Sequence, residues 1–307
     1  MPAFQIYVTE PEVIDLDVVR EVLGGADYNL IAGSTDFSVG DASICNTVLI
    51  RSGTHVDATT KEKMPNLQHV VRVGVGLDNV DLAFCEQNGV AVYNAPGANA
   101  EAVAEYAVAV ILLALRNIHL LERSDLETWN RFKFSGTSIA SRTVGIVGFG
   151  HIGKLLFQKL QALGCKDFLL YDPYVTEAPE GTRMAELDEL LSESDVISLH
   201  LPLLPATEHI INAGKLSLLK ENAILLNAAR GGIVDEAAVV AALTDKQFTY
   251  IADAVEGEPQ VNPALLDQPN ILITPHIASL TDDAEKAMAR VAVQNLVDGK
   301  QAAKLPA

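Results

Sequence analysis

The stretch VGIVGFGHIG, residues 144–153, decides the fold of this chain. Its β-branched run predicts a strand over Thr143–Val147, and its glycine turn opens a predicted helix over Ile152–Leu163. An acid, Asp172, stands nineteen residues after the third glycine and ends a second predicted strand, Phe168–Tyr171. A G-x-G-x-x-G turn between a strand and a helix, with an acid at that distance, indicates a dinucleotide-binding domain.

The glycine turn has a predicted role for each of its glycines. Gly148 makes the tight turn, Gly150 lets the backbone approach a pyrophosphate, and Gly153 lets the helix pack on the strand. The N–H groups of the first helical turn then point at the anion. Asp172 is placed to accept hydrogen bonds from the adenine ribose, and its charge would repel a 2′-phosphate, so the predicted cofactor is NAD rather than NADP. A turn that serves packing alone is the structural alternative.

Outside this stretch, short β-branched runs alternate with helical periods, which indicates βαβ units and parallel sheets. A first series of predicted strands comprises Phe4–Val8, Thr47–Arg51, Val70–Val73 and Val90–Tyr93. A second series comprises Thr143–Val147, Phe168–Tyr171, Val196–Leu201, Ala223–Asn227, Tyr250–Ala254 and Ile271–Thr274. The predicted fold class is α/β with two doubly wound parallel-sheet domains, the second built on six strands.

Composition narrows the classes of partner. The chain has 307 residues, 49% of them apolar, which is enough for sizeable cores and excludes wholesale disorder. With 22 basic and 40 acidic residues the formal net charge is −18, so nucleic acid and membrane surfaces are poor candidate partners. There is no H-E-x-x-H motif and no Cys/His cluster, so we expect no catalytic metal.

The cysteines and the N-terminus predict a cytoplasmic location. Cys45, Cys85 and Cys165 are odd in number and have no C-x-x-C spacing, so we expect reduced, buried thiols. The N-terminus lacks the basic region of a signal peptide. The longest apolar run, Tyr106–Leu115, is shorter than the roughly 20 residues of a membrane span and predicts a buried helix.

Polar side chains follow the ends of three predicted strands, at Arg230, Glu258 and His276. Ligands of open α/β sheets bind outside the carboxyl ends of strands, so these side chains could converge on one crevice. An Arg fork suits a 2-oxo acid's carboxylate, and His suits proton transfer to its carbonyl oxygen. A neighbouring Glu favours the protonated imidazole. The structural alternatives are a turn cap for Arg230, a solvated loop acid for Glu258 and a core histidine for His276.

A second glycine pair, Gly74-Val75-Gly76, follows the strand Val70–Val73. The third glycine of a dinucleotide turn is missing, because the chain continues Leu77-Asp78-Asn79. The residues alone leave two interpretations equally open: a turn that offers N–H groups to a small carboxylate, and a structural turn.

Taken together, the motifs resemble the D-isomer-specific 2-hydroxyacid dehydrogenase family over nearly the whole chain. The motifs that carry the resemblance are, in order, Arg51-Ser52, residues 74–81 (GVGLDNVD), residues 94–97 (NAPG), the 144–153 stretch, residues 171–173 (YDP), residues 200–202 (HLP), residues 227–231 (NAARG), residues 253–259 (DAVEGEP) and residues 274–276 (TPH).

The resemblance implies that Arg230 binds the substrate carboxylate and carbonyl, that His276 is the acid/base, and that Glu258 orients it. It also implies that the Gly74–Gly76 backbone holds the substrate carboxylate, and it places Asp253 near the nicotinamide. The full cofactor set is then Gly148, Gly150, His151, Ile152, Gly153, Asp172, His200, Pro202, Thr207, Ala228, Arg230, Asp253 and His276. The full substrate set is Arg51, Ser52, Arg72, Gly74, Val75, Gly76, Arg131 and Arg230.

The same resemblance implies a discontinuous domain and a homodimer. Residues 1–97 and 281–307 form a flavodoxin-like substrate-binding domain, and residues 98–280 form an inserted Rossmann NAD domain. The long predicted helix, Ala100–Ile118, mediates the dimer.

Within the family, residues 70–74 (VVRVG) and 129–134 (WNRFKF) resemble the 3-phosphoglycerate dehydrogenases. By that resemblance Arg51, Arg72 and Arg131 serve the substrate phosphate, with Arg131 reaching the neighbouring subunit. Surface ion pairs are the alternative for Arg72 and Arg131. Two other functions stay open: a general reductase of hydroxypyruvate, glyoxylate or pyruvate, and an NAD-sensing corepressor-like binding protein.

Overall fold

The computed structural model describes residues 3–175 and 177–302, which divide into two compact units. The first unit comprises the chain up to Asn99 together with the segment from Leu280 onward, and the second is Ala100–Ser279. Each unit is built on one parallel sheet.

The first unit has a five-stranded sheet in the order β2-β1-β3-β4-β5, the flavodoxin-like order. Its strands are β1 (Phe4–Val8), β2 (Tyr28–Ala32), β3 (Thr47–Ile50), β4 (His69–Arg72) and β5 (Ala91–Tyr93). Its helices are α1 (Leu16–Leu23), α2 (Ala58–Lys63), α3 (Leu82–Gln87) and the last helix of the chain, Asp282–Asp298.

Sequence reasoning missed β2, and the reason is its position. It forms the edge of the sheet, and none of its side chains is fully buried. The hydrophobic signal of a central strand, as in the fully buried β3, is therefore absent there. Only pairing with β1, in register from Phe4 with Tyr28 to Val8 with Ala32, defines it as a strand.

The second unit has a seven-stranded parallel sheet in the order β12-β11-β10-β9-β6-β7-β8. Its strands are β6 (Thr143–Val147), β7 (Asp167–Tyr171), β8 (Arg183–Met184), β9 (Val196–Leu199), β10 (Ala223–Asn227), β11 (Phe248–Ala252) and β12 (Ile271–Ile273). Its helices are α4 (Ala100–Leu115), α5 (Arg123–Thr128), α6 (His151–Ala162), α7 (Leu187–Glu193), α8 (Ala213–Leu218), α9 (Glu236–Ala242) and α10 (Pro263–Leu266).

Counted within this unit, the strand order is the Rossmann order with a seventh strand added at one edge. The prediction of six strands was wrong because β8 has only two residues, too few to show any periodicity. The predicted helix 100–118 ends earlier, at Leu115, because Asn117 adopts a left-handed φ of 54° and a 3-10 turn follows it.

Helix α4 is the buried apolar helix that its composition predicts. Ala107, Ile111 and Ala114 are buried in one cluster with Leu156 and Leu160 of α6. The hydrophobic run is thus accounted for by packing against α6. Within residues 3–175 and 177–302, no helix combines the length and the apolar character that a membrane crossing requires.

Strands β10, β11 and β12 end together. Asn227 at the end of β10 pairs with Ala252 of β11, which in turn pairs with Ile273 of β12. The segments that follow these three strands therefore leave the sheet at the same edge, and Arg230 and His276 are among their first residues.

Candidate functional site

The glycine turn has the geometry that its sequence predicts. Gly148 adopts a φ of 94°, and a Cβ there would lie 2.5 Å from the carbonyl oxygen of His200. Helix α6 begins at His151. The residue before it, Gly150, has no side chain that could cap the helix. A Cβ on Gly150 would meet no protein atom within 4 Å, so nothing in the chain itself requires glycine there. Room for a close-lying anion at the helix N-terminus fits this arrangement.

Asp172 is held against this turn. Its Oδ2 accepts a hydrogen bond from the Phe149 N–H at 2.7 Å, and its Oδ1 accepts one from the Tyr174 N–H at 2.8 Å. The carboxylate therefore lies beside the glycine turn. Contact with a ribose stays a prediction.

The residues after β9 form a turn that is stabilised by hydrogen bonds between its own residues. The Thr207 hydroxyl donates to the Pro202 carbonyl at 2.6 Å and accepts from the Leu204 N–H at 2.8 Å. The ring of His200 is buried, and burial lowers its pKa to about 4. Its Nε2 lies 2.9 Å from the Ser198 hydroxyl, whereas its buried Nδ1 has no hydrogen-bond partner among the residues described. The His200 carbonyl, not its ring, lies beside Gly148, and a contact of His200 with the cofactor stays a prediction.

Glu258 and His276 form the pair that the sequence proposed. Nδ1 of His276 lies 2.8 Å from Oε1 of Glu258, and the side chains are 45% and 42% exposed. The other ring nitrogen is therefore the one that could face a substrate. His276 adopts a left-handed φ of 54°, a conformation that His tolerates better than most residues.

Asp253 shapes the loop that carries His276. Its buried carboxylate, 2% exposed, accepts from the Thr274 hydroxyl at 2.6 Å and from the N–H groups of Ile277 and Ala278 at 2.8 and 2.9 Å. Its carbonyl oxygen accepts from the His276 N–H at 2.9 Å. Both carboxylate oxygens are thus used by the loop, and the implied contact with a nicotinamide stays a prediction.

Tyr106 of α4 extends this network, and the sequence had not pointed to it. Its hydroxyl lies 2.6 Å from the Thr274 Oγ1. Because Thr274 donates its only proton to Asp253, Tyr106 must be the donor. Burial raises the pKa of Tyr106 to about 12, so the phenol stays protonated. Sequence offered no signal, since Tyr106 lies in an apolar helical run.

Arg230 lies in a turn organised by Asn227. The buried Asn227 amide donates to the Arg230 carbonyl at 2.8 Å and accepts from the Ala229 N–H at 3.2 Å. The Arg230 guanidinium donates to the Ala229 carbonyl at 2.7 Å. Ala228, which follows Asn227 in this turn, is half-buried. The end of β10 thereby presents an ordered arginine.

In the first unit, Arg51 already has an acidic partner. Its guanidinium donates to Glu285 and to the Val13 carbonyl, both at 3.1 Å, and its side chain is only 13% exposed. The buried carboxylate of Glu10 accepts from the N–H groups of Arg51 and Gly53 at 2.8 and 3.0 Å. Glu10 therefore holds the turn on which Ser52 is exposed.

Arg72 lies over the second glycine pair. Its Nη1 is 3.5 Å from the Val73 carbonyl oxygen, and a Cβ on Gly74 would overlap the guanidinium. The Val75 carbonyl accepts from the Asn94 amide at 2.7 Å, and Gly76 is half-buried. Arg72 is half-buried rather than on the open surface.

Arg131 belongs to a different environment in the second unit. It is exposed, with its guanidinium 5.1 Å from the centre of the Phe132 ring. Its predicted role at a neighbouring subunit's site stays a prediction.

Comparison with known proteins agrees with this geometry. Residues 108–278 match the sequence profile described as D-isomer specific 2-hydroxyacid dehydrogenase, NAD binding domain. A D-3-phosphoglycerate dehydrogenase of Mycobacterium bovis is 41% identical over 245 residues, which are 78% of this chain and 46% of that protein. A hydroxypyruvate reductase of Thermotoga maritima is 35% identical over 256 residues, 82% of this chain and 83% of that protein.

Among solved structures, the D-lactate dehydrogenase of Aquifex aeolicus, complexed with NAD and lactic acid, has a TM-score of 0.80. It is 27% identical, with 96% of each chain covered. This chain belongs to the D-isomer specific 2-hydroxyacid dehydrogenase family. It spans about half the length of the phosphoglycerate dehydrogenases that it matches.

Proposed function

We propose that the protein is an NAD-dependent oxidoreductase that interconverts a D-2-hydroxyacid and the corresponding 2-oxoacid. The observation that carries the proposal is the 2.8 Å hydrogen bond between Glu258 and His276 in the family's NAD-binding domain. A positioned imidazole with a carboxylate partner is the arrangement that proton transfer to or from a substrate oxygen requires.

The residues present fit a bound NAD. The glycine turn leaves room for a phosphate at Gly150, and the first turn of α6 offers backbone N–H groups to it. Asp172 lies beside the glycine turn, where its carboxylate could accept hydrogen bonds from a ribose diol. NAD, when bound, accepts or supplies the hydride.

The chain's own residues have the remaining tasks. Protonated His276 would donate a proton to the carbonyl oxygen of a 2-oxoacid, and in the reverse direction the neutral ring would remove the hydroxyl proton. Glu258 orients the ring through Nδ1 and stabilises its charged form. Arg230 would bind the substrate carboxylate with its planar fork of donors.

The substrate that we propose is 3-phosphoglycerate with 3-phosphohydroxypyruvate. Support comes from the phosphoglycerate dehydrogenases among the relatives and from Arg72, which lies over the Gly74 turn. The specific alternative is a general reductase of small 2-oxoacids. It is supported by the Thermotoga hydroxypyruvate reductase, which this chain covers over most of its length.

An NADH oxidation assay with a panel of 2-oxoacids tests the activity and the substrate. We expect turnover, with kcat/KM higher for 3-phosphohydroxypyruvate than for hydroxypyruvate. Arg72→Ala should lower kcat/KM only for the phosphorylated substrate. The loss should correspond to about 1.5–3 kcal/mol, the usual contribution of a hydrogen bond to a charged group. The control is Arg20→Ala, which removes an exposed arginine paired with Asp17 in the same unit. Equal loss for both substrates favours the general reductase, and no turnover with any 2-oxoacid favours a corepressor-like binding protein.

The same assay with NADPH tests Asp172. Its carboxylate lies beside the phosphate-binding turn, so a 2′-phosphate would meet a negative charge. We expect NADH to be preferred over NADPH in kcat/KM. Equal values would show that Asp172 does not contact the ribose.

We also propose a homodimer formed through the region of the predicted helix 100–118, that is, through α4 and the segment that follows it. Large apolar side chains are exposed there within a short stretch: Ile118, Leu121, Leu126, Trp129 and Phe132. Exposed apolar patches of this kind mark protein interfaces. Sedimentation should give twice the mass of one chain, and Trp129→Asp should lower it. A monomeric wild type would contradict the proposal.

A cytoplasmic location is the further proposal. Its support is that Cys45, Cys85 and Cys165 are all buried free thiols, as expected in a reducing compartment.

A further inference from the structure

Glu236 is a buried acid that the reaction as described does not use. It is the first residue of α9, and its side chain is turned into the protein with that of Val239, so that Glu236 is only 1% exposed. Its Oε1 lies 3.5 Å from the hydroxyl of the fully buried Tyr250. Its Oε2 has no hydrogen-bond partner among the residues described. A buried carboxyl oxygen with no partner is costly unless the group carries a proton.

On one side, Glu236 is connected to the turn of Arg230. Tyr250 pairs in β11 with Leu225 of β10, so its side chain lies on the same face of the sheet as that of Asn227, two residues further along β10. Asn227 is the residue whose amide holds the Arg230 carbonyl at 2.8 Å. The path Glu236–Tyr250–Asn227 thus ends on the turn that presents the arginine.

On the other side, Glu236 is connected to the loop of Glu258. The Glu256 carboxylate is close enough to Glu236 to oppose its ionisation, and Glu256 is two residues before Glu258. The two segments also touch directly, because a Cβ on Gly231 would overlap the backbone of Val255 and Glu256. Glu236 is therefore connected to the Arg230 turn only through Tyr250 and Asn227, and it lies close to the loop that packs against that turn.

The charges around Glu236 oppose its ionisation. Burial, and secondarily the carboxylates of Glu256 and Glu258, raise its pKa to about 7. Tyr250 faces it from β11, and burial keeps the pKa of that phenol well above its usual value. His209 pairs with Glu256, and this hydrogen bond raises the pKa of His209.

We propose that Glu236 is a positioning residue which, in its protonated form, holds the Arg230 turn and the Glu258 loop together, and whose ionisation loosens them. The proposal rests on the proposed function, since its kinetic effect passes through Arg230 and Glu258. A protonated carboxyl brings no charge into this buried position, and its Oε1 still accepts from the Tyr250 hydroxyl. An ionised carboxyl would place a second negative charge next to the loop of Glu258.

The kinetic test compares Glu236→Gln with Glu236→Leu. Glutamine keeps a donor and an acceptor but cannot ionise, so kcat below pH 7 should stay within about twofold, and the alkaline fall of kcat should move to higher pH. Leucine removes the hydrogen bonds, so kcat should fall about tenfold at every pH. Glu180→Gln, which removes an exposed carboxylate of the same unit, should change neither. Identical pH profiles for wild type and Glu236→Gln would overturn the proposal.

A second measurement needs no substrate and so separates this proposal from the proposed function. The pKa of Glu236 is raised from its ordinary 4.5 to about 7, so the stability that its protonated form contributes is lost as pH rises from about 4.5 to about 7. Between pH 5 and pH 8 the urea midpoint of the wild type should therefore fall further than that of Glu236→Gln. This test stands even if the protein turns over no 2-oxoacid. A larger fall of the urea midpoint in the wild type than in Glu236→Gln supports the proposal, and equal falls in the two proteins overturn it.

Discussion

Replacement of His276 by alanine is expected to lower kcat by about 10²–10⁴, the usual effect of removing a positioned acid/base. The ring is partly exposed and hydrogen-bonded through Nδ1 to Glu258, which leaves the other nitrogen for the substrate. His276→Asn should show the same loss while keeping a residue that tolerates the left-handed backbone at this position. The measurement is steady-state kinetics of 2-oxoacid reduction.

The control for this prediction is His55→Ala, which removes an exposed histidine of the first unit. It should leave kcat unchanged. Glu258→Gln should also lower kcat, because the ring loses the carboxylate that orients it through Nδ1. A loss of less than tenfold in both His276 variants would show that another group transfers the proton.

Replacement of Asp253 by alanine is expected to lower both stability and kcat. Three donors would lose their acceptor: the Thr274 hydroxyl and the N–H groups of Ile277 and Ala278. Since each buried donor left unpaired costs about 1–3 kcal/mol, we expect the free energy of unfolding to fall by about 3 kcal/mol or more. The His276 loop would lose its fixed shape, so kcat should fall even in the fraction that remains folded.

Urea denaturation and kinetics at a temperature where the variant is folded measure the two effects separately. Asp267→Ala, at an exposed acid between β11 and β12, is the matched control and should change stability by less than about 0.5 kcal/mol. If Asp253→Ala loses activity with no loss of stability, the carboxylate acts on the cofactor or substrate, as the family resemblance implies. Unchanged stability and unchanged kcat would contradict the positioning role altogether.

The sequence by itself determined those features that are local. The strand, glycine turn and helix of residues 143–162 are encoded in one continuous stretch, because hydrophobic periodicity and glycine placement act within a few residues. The choice of Arg230, Glu258 and His276 followed from the ends of predicted strands. The central strands were predictable since burial on both faces demands continuous apolar runs.

Only the tertiary structure determines which hydrogen-bond or ion-pair partner each polar group contacts. Edge strands β2 and β8 exist only through pairing with a neighbour and carry little pattern of their own. Arg51 meets Glu285, which is 234 residues away in the chain, and no local signal could predict that the arginine is engaged.

The buried polar groups show the same limit. A carboxylate on the buried face of a helix, as at Glu236 three residues before Val239, was a signal available in the sequence, but its partners Tyr250 and Glu256 come from other elements. Asp253, likewise, holds a loop more than twenty residues further along the chain. Hydrogen bonds of this kind are set by which segments the sheet brings side by side, and that information lies in the packing of the whole unit rather than in any stretch of residues.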